Sequence, residues 1–147
     1  MNFSELKHII IHESVSREKI LNLLSQLTDI NNSEGSPISA EEYNKFFSNL
    51  EPNIHIYVLE NEKDQLVAMG TLIIESKLIH GGSKVAHIED LVVDKNQRGK
   101  GYGKILIDHL IKKAEKFNCY KIILNCNEKN IAFYEKAGFQ QKNVEMS

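Results

Sequence analysis

The stretch DKNQRGKGYGK, residues 94–104, has the residue types that bind an anion. It places three of the chain's 8 glycines at alternate positions, Gly99, Gly101 and Gly103. Glycine accepts positive φ and lets the backbone approach a ligand closely, and free N–H groups beside such a turn bind anions well. The basic residues around these glycines are Lys95, Arg98, Lys100 and Lys104. The stretch therefore predicts a site for a small anionic ligand.

Two familiar phosphate loops do not fit this spacing. A P-loop has a glycine separated by four residues from its Gly-Lys pair, and Arg98 occupies that position ahead of Gly103. Ile105 also stands where a P-loop carries the Ser or Thr that holds magnesium. A dinucleotide-binding fingerprint needs a third glycine three residues after the second, and its two registers place Lys104 or Leu106 there. Both assignments are excluded.

An acidic pair, Glu89 and Asp90, lies inside VAHIEDLVV, residues 85–93, which has the composition of a strand. On a regular strand two adjacent side chains point to opposite faces. Carboxylates on a buried strand are costly unless they are paired or bonded to a ligand. The pair is a candidate for a binding site, and ion pairs with nearby lysines are the open alternative.

Hydrophobic periodicity predicts the elements that position these residues. Ser16 is expected to cap a first helix, and Ser39 and Glu42 form a capping box that opens a second. The later predicted helices are residues 105–117 and 127–137, and the predicted strands are residues 6–14, 55–59, 66–74, 85–93, 119–126 and 139–146. This order predicts one α/β (α+β) domain, residues 1–147, on a mixed sheet flanked by helices.

Composition limits the partners. The net charge of −2 argues against a nucleic-acid binder, although residues 1–94 carry −8 and residues 95–147 carry +6. No apolar run approaches the ~20 residues of a membrane span, and no signal peptide is evident, so we expect a cytoplasmic protein. Cys119 and Cys126 flank a predicted strand, about 23 Å apart, which is too far for a disulfide. Their spacing does not suit zinc.

The motif Arg98-x-x-Gly101-x-Gly103 between a strand and a helix resembles the acetyl-CoA-binding motif of the GNAT superfamily of N-acetyltransferases. The resemblance extends from about Val67 to Met146. It rests on the ordered segments TLIIESKLIH, HIEDLVVD, RGKGYGK, CYKIIL and EKNIAFYEKAGF. It implies the GNAT fold with a mostly antiparallel sheet, acetyl-CoA as co-substrate and no metal. The implied activity is N-acetylation of D-glucosamine 6-phosphate, a step toward UDP-N-acetylglucosamine, by a homodimer.

The resemblance also assigns the contacts of the coenzyme. Backbone N–H groups at the helix start would wrap the pyrophosphate, and the pantetheine arm would pair with the strand that carries the acidic pair. Tyr134 matches the general acid beside the coenzyme sulfur, and a packed core aromatic is the alternative. The implied coenzyme-binding residues are Leu91, Val92, Val93, Arg98, Gly99, Lys100, Gly101, Tyr102, Gly103, Lys104, Asn130 and Tyr134.

The implied substrate-binding residues are Thr28, Lys77, His80, Glu89, Asp90, Tyr120, Lys121 and Asn125, and the implied catalytic residues are Tyr134, Glu89 and Asn125. For His80 an ordinary surface histidine is equally open. Asn125 departs from the family, whose members tend to carry a carboxylate there, because an amide cannot take the substrate's ammonium proton. That proton then passes to Glu89 through water, to backbone carbonyls or to solvent. The chain also stops at Ser147, where such enzymes continue with a basic tail that reaches the neighbouring subunit's phosphate site.

Three other functions are compatible with parts of the pattern. One is a GNAT enzyme for another amine, such as a protein N-terminus, an amino acid or a polyamine, although Lys77 and Lys121 suit a phosphorylated substrate. Another is a non-catalytic acyl-CoA-binding regulator, which Asn125 favours and Tyr134 disfavours. The third, a nucleotide-binding module, is weakened by both failed fingerprints.

Overall fold

A computed structural model describes residues 17–27 and 38–147. The helices are α1 (Arg17–Leu24), α2 (Ala40–Ser48), α3 (Tyr102–Lys116) and α4 (Ile131–Lys136), and the strands are β1 (Ile54–Glu60), β2 (Leu66–Ser76), β3 (Lys84–Val93) and β4 (Cys119–Leu124). A short 3₁₀ helix, Glu128–Asn130, precedes α4. The predicted first strand, the cap at Ser16 and the candidate residue Thr28 lie outside the described residues.

The four strands form one mixed sheet in the order β1-β2-β3-β4. The pairs β1–β2 and β2–β3 are antiparallel, and β3–β4 is parallel. This arrangement confirms the predicted mixed, mostly antiparallel sheet flanked by helices. The parallel pair arises because α3 carries the chain from the end of β3 back to the start of β4.

Two buried clusters cover the two faces of the sheet. On the first face, which we call the α3 face, Leu106, Ile107 and Leu110 of α3 pack against strand residues that include Tyr57 and Leu72. On the opposite face, which we call the outer face, α1 and α2 cover the first strands and the end of β3. This second cluster comprises Ile20, Leu23, Tyr43, Ile56, Val58, Leu66, Met69 and Val92, and it includes no residue of β4. The outer side of β4 is therefore not covered by these helices.

The predicted capping box of α2 is confirmed. The Glu42 N–H donates to Ser39 Oγ at 3.2 Å, and the Ser39 N–H donates to Glu42 Oε2 at 3.0 Å. The bonds that the Ser39 N–H and then the Ser39 hydroxyl donate to Glu42 Oε2 favour the charged carboxylate and hold the pKa of Glu42 below its ordinary value. The sequence therefore fixes the start of this helix locally.

Two predicted helix starts and one predicted strand are wrong. The helix predicted from residue 105 begins at Tyr102, inside the glycine stretch, and the helix predicted from residue 127 is regular only from Ile131. The strand predicted at 139–146 has no strand structure. A strand needs a partner for its backbone groups, and within the described residues this segment has no neighbouring strand.

The two cysteines are both free, as the sequence predicts, although β4 ends at Leu124 before reaching Cys126. Within residues 17–27 and 38–147, no helix is both long and apolar enough to cross a membrane. The same residues contain no group of three His, Cys, Asp or Glu side chains arranged to hold a metal ion.

Candidate active site

The glycine stretch forms the turn between β3 and α3. Gly99 and Gly101 have φ of 79° and 87°, and a Cβ added to either would meet nothing within 4 Å. The first helical bond of α3 is donated by the Ile105 N–H to the Gly101 carbonyl at 3.1 Å. The N–H groups of Tyr102, Gly103 and Lys104 therefore have no acceptor in the helix and lie at the positive end of its dipole.

Gly103 lacks a side chain for a different reason. A Cβ there would lie 3.2 Å from two ring atoms of Phe133 and 3.4 Å from Val93 Cγ2. Its φ is not positive, because the residue already belongs to α3. The third glycine of the motif makes room for α4 to pack against the start of α3, so the sequence-based explanation by close ligand approach is incomplete for this residue.

Three basic residues around the turn make contacts, Arg98 and Lys104 through their side chains and Lys95 through its backbone. Arg98 Nε donates to the Val93 carbonyl at 3.1 Å, and Lys104 forms an ion pair with Asp108 one helical turn away. The Lys95 N–H donates to Gln26 Oε1 at 2.7 Å, which joins the turn to α1. The cleft of about 380 Å³ between α1 and the turn is lined by Asn22, Ser25, Gln26, Asp94, Lys95, Asn96 and Arg98.

A gap opens between β3 and β4 beside this turn. The two strands pair from Lys84 and Cys119 to Ile88 and Leu124, and the pairing stops there. β3 continues to Val93, so its last five residues have no strand on that edge within the described part of the chain. Their backbone groups on that edge can bond to an extended ligand. Asn125, exposed, follows β4 directly at the mouth of the gap.

A β-bulge shapes the β3 side of the gap. Met69 pairs with Val92 and Thr71 with Glu89, so Gly70 alone lies opposite both Asp90 and Leu91. Asp90 has φ of 50°. A Cβ on Gly70 would lie 3.2 Å from Leu110 Cδ1, so the glycine lets α3 pack closely on the sheet opposite the bulge.

The bulge corrects the expectation for the acidic pair. A regular strand would turn Asp90 toward the buried α3 face, but Glu89 and Asp90 are both exposed. Neither carboxylate forms an ion pair with a side chain in the described part of the chain. The alternative of structural ion pairs therefore has no support among these residues.

Tyr134 packs on the α3 side of the sheet, near the glycine turn. Its ring centroid lies 4.9 Å from that of Phe133 and 6.0 Å from that of Phe139. Burial raises the pKa of its phenol, and negative charge on nearby Cys126 raises the pKa further. The phenol is protonated at neutral pH and can donate a proton. Asn130 lies in the 3₁₀ turn just before α4.

The other face of the gap carries a polar strip. Partner residues in the sheet place Thr71 beside Glu89, Ile73 and Ile123 beside His87, and Glu75 and Lys121 beside Val85. Because these residues alternate along their strands, their side chains lie on the outer face. We call the exposed and half-exposed polar residues of this surface, Glu75, His87, Glu89 and Lys121, the outer strip.

Four of the substrate-binding candidates gather at one end of the outer strip. The His80 and Tyr120 rings stack with centroids 4.5 Å apart, and Lys121 Nζ lies 5.7 Å from the Tyr120 centroid. Lys77 is in the same hairpin as His80, but its Nζ is 2.6 Å from Glu75 Oε1. The sequence did not predict that this lysine has a carboxylate partner.

Two polar residues of the outer strip, Glu75 and His87, were not predicted to belong to the site. Glu75 Oε2 lies 2.8 Å from His87 Nε2, and the bonds from Lys77 and His87 lower the pKa of the Glu75 carboxyl. A signal was present, because His87 and Glu89 are polar residues at alternate positions of an otherwise apolar strand, which places them on one face.

The sequence model of the acetyltransferase (GNAT) family matches residues 19–139. This match agrees with the motif and the fold described above. The chain belongs to the acetyltransferase (GNAT) family, and the predicted GNAT fold is confirmed.

Several known acetyltransferases are similar to this chain in sequence and structure. Glucosamine 6-phosphate N-acetyltransferase of Candida albicans is 43% identical over 112 residues, covering 74% of this chain and 75% of the relative. The crystal structure of the Arabidopsis thaliana enzyme of that name is 36% identical with a TM-score of 0.80, covering 89% of this chain and 88% of the other. A Trypanosoma brucei acetyltransferase structure is 34% identical with a TM-score of 0.77, covering 100% of this chain and 94% of the other.

Proposed function

We propose that this protein transfers the acetyl group of acetyl-CoA to the amine of D-glucosamine 6-phosphate. The observation that carries the proposal is the gap between β3 and β4, which has the glycine turn and Tyr134 on one side and the outer strip on the other. An acyl donor and a polar acceptor can therefore meet from opposite faces of the sheet. The names of the Candida albicans and Arabidopsis thaliana relatives support this substrate.

Acetyl-CoA is assigned to the α3 side of the gap. The N–H groups of Tyr102, Gly103 and Lys104 bind its pyrophosphate, with Gly99 and Gly101 leaving the approach open. The pantetheine arm pairs with the free edge of β3, through the backbone of Leu91, Val92 and Val93. Arg98, Lys100 and Lys104 add positive charge, and Asn130 contacts the arm near Tyr134.

In the chemical step, the unprotonated amine attacks the thioester carbonyl carbon. An N–C bond forms and the C–S bond breaks, while a backbone N–H of the bulged segment stabilises the oxyanion. Tyr134 donates its phenolic proton to the departing thiolate, and the proton that the nitrogen loses as the amide forms restores the Tyr134 phenol through solvent. The ammonium proton leaves before the attack, through water held by Glu89, since Asn125 can accept a hydrogen bond but cannot take that proton.

The sugar is assigned to the outer strip. Its amine and neighbouring hydroxyls lie at Glu89, Asp90 and Asn125, next to the gap. Its phosphate lies at the other end, where Lys121, His80 and Tyr120 gather. Lys77 serves that end only when its bond to Glu75 is shared with or replaced by one to the phosphate. An acceptor without a phosphate leaves these cations unused.

A homodimer belongs to the same proposal. Residues 139–146 have the composition of a strand but no strand partner among the described residues, and Val144 and Met146 are 84% and 88% exposed. β4 is an edge strand of the described sheet, and its residues Tyr120 and Ile123 are exposed. The tail of one copy pairing with the β4 edge of a second copy satisfies both surfaces.

Removal of residues 142–147 is expected to shift the protein from dimer to monomer. The deletion removes both exposed apolar side chains of the tail without touching α4. Sedimentation velocity of the full chain and the deletion at the same concentration measures the change. An unaltered sedimentation coefficient for the deleted chain would rule out the tail as the dimer contact.

The reaction itself is tested by identifying the product. The protein, acetyl-CoA and glucosamine 6-phosphate are incubated, and NMR of the product is expected to show acetylation at nitrogen. Acetylation at a hydroxyl, or no product, would contradict the proposal. We further expect the product to feed UDP-N-acetylglucosamine synthesis. We also expect a cytoplasmic protein, which accords with the two free cysteines, because thiols stay reduced in that compartment.

A further inference from the structure

The outer strip contains one ring that the proposed reaction leaves unassigned. His87 lies on β3 two residues before Glu89 and two residues after Val85, the partner of Lys121. Two residues of a strand span about 7 Å, so His87 lies midway between the proposed amine end and the proposed phosphate end. A hexosamine phosphate that reaches from one end to the other must pass over this ring.

The His87 ring is held in a fixed orientation. Its Nε2 lies 2.8 Å from Glu75 Oε2, and the other oxygen of Glu75 is bonded to Lys77 Nζ at 2.6 Å. In the neutral ring Nε2–H donates to the carboxylate, which leaves Nδ1 as an acceptor. Nδ1 bonds to no group in the described part of the chain, and the side chain is 27% exposed.

The bonds among Glu75, Lys77 and His87 contribute little to the stability of the fold. Exposed ion pairs stabilise a fold little, and the Glu75 side chain that bonds to both Lys77 and His87 is 40% exposed. The flanking residues on the same face, Ile73 and Ile123, are apolar. A polar ring between two apolar residues, with one nitrogen held and the other open, is the arrangement of a binding residue.

We propose that His87 is a further sugar-binding residue, whose Nδ1 accepts a hydrogen bond from a hydroxyl on the C3–C4 edge of glucosamine 6-phosphate while Glu75 holds the ring. The C3–C4 edge joins the amine-bearing carbon to the phosphate-bearing end and carries the hydroxyls that an imidazole nitrogen can bind. Glu75 is then a positioning residue. This inference rests on the proposed function, since it needs the sugar on the outer strip.

Two amide substitutions separate the roles of the two ring nitrogens. Gln places its amide where Nε2 lies and can keep the bond to Glu75, whereas Asn places its amide near Nδ1. We expect His87→Gln to raise KM for glucosamine 6-phosphate about tenfold, with kcat and the Kd of acetyl-CoA little changed. His87→Asn is expected to raise KM less. Equal KM values for His87→Gln and the unaltered protein would overturn the inference.

Deoxy substrates provide a readout that a structural role would not move. Removing the contacted hydroxyl, in 3-deoxy or 4-deoxy glucosamine 6-phosphate, is expected to raise KM about tenfold with the unaltered protein and not at all with His87→Gln. Equal losses in both proteins for both analogues would show that His87 does not contact these hydroxyls. Glu75→Gln is expected to give an intermediate KM, because the ring keeps a weaker partner.

The matched control is His55→Gln. His55 is a half-buried histidine on the α3 face, remote from the outer strip, and its ring centroid lies 4.7 Å from that of Phe117. The KM of the His55→Gln variant for the sugar should therefore not change. Absence of turnover by the unaltered protein would overturn the proposed function, and the inference with it. Normal turnover with an unchanged KM in His87→Gln overturns the inference alone.

Discussion

Tyr134→Phe is expected to lower kcat about 100-fold while leaving the Kd of acetyl-CoA within about twofold of its value in the unaltered protein. The substitution keeps the ring that packs against Phe133 and Phe139, and it removes only the proton that the thiolate needs. Release of free coenzyme A measures kcat, and calorimetry measures the Kd. An unchanged kcat would remove Tyr134 as the general acid.

The pH dependence of the same variant gives a second readout. Burial, and then negative charge on Cys126, raise the pKa of Tyr134 above the ~10 of a free tyrosine. The phenol keeps its proton as pH rises to that raised pKa, so the fall in kcat caused by its ionisation lies at higher pH than for a free phenol. This alkaline fall is expected to be absent from Tyr134→Phe.

Tyr43→Phe is the matched control. Tyr43 is also buried, its hydroxyl has no hydrogen-bond partner within the described residues, and it packs between α1 and α2, away from the gap. Its loss of a hydroxyl should leave kcat unchanged. A fall in kcat in both variants would indicate that losing any buried hydroxyl lowers kcat, and not that Tyr134 donates a proton.

Gly101→Ala is expected to weaken acetyl-CoA binding at least about tenfold and to lower the free energy of unfolding by ~1–2 kcal/mol. The second effect arises because φ at this residue is 87°, which an L side chain rarely adopts. The first arises because the added Cβ occupies the open space at the start of α3 that the pyrophosphate is proposed to fill. Calorimetry with acetyl-CoA and urea denaturation measure the two quantities.

Gly82→Ala separates backbone strain from ligand approach. Gly82 has φ of 79° and nothing within 4 Å of an added Cβ, but it lies in the hairpin between β2 and β3. We expect a similar loss of stability and an unchanged Kd for acetyl-CoA. If Gly101→Ala also leaves the Kd unchanged, the glycine turn does not hold the pyrophosphate.

The sequence predicts those elements whose signals are local. The capping box of Ser39 and Glu42 fixes the start of α2, and alternating apolar residues give β1, β2 and β3 within a few residues. The free edge of β3 follows from the resemblance to the GNAT family. Each of these features depends on residues close together in the chain or on one motif.

The bulge and the Glu75–His87 contact could not be predicted in the same way. The bulge lies opposite Gly70 of the neighbouring strand, where a Cβ would come within 3.2 Å of Leu110 Cδ1, so no local pattern in β3 marks it. Glu75 meets His87 only because of the register between β2 and β3. Register depends on the whole sheet, and a shift of one residue would place these side chains on opposite faces.

Residues 139–146 show the opposite case, in which a strand was predicted and none is present. Residues 139–146 have the composition of a strand, but composition does not supply the edge on which a strand forms. Gly103 is similar, because its glycine pattern predicts ligand approach whereas the space beside it is taken by Phe133. For Gly103 the deciding contact is made with α4, a distant part of the chain.

The outer strip is proposed to select a phosphorylated amino sugar. The rate of coenzyme A release, measured with three different acceptors, tests this selectivity. The acceptors are glucosamine 6-phosphate, glucosamine and a lysine-containing peptide, each at the same acetyl-CoA concentration. We predict a kcat/KM at least about 100-fold higher for glucosamine 6-phosphate than for glucosamine, because glucosamine offers no phosphate to Lys121 and leaves Lys77 bonded to Glu75. Equal values for the two sugars, turnover of the peptide alone, or binding of acetyl-CoA without turnover would contradict the claim.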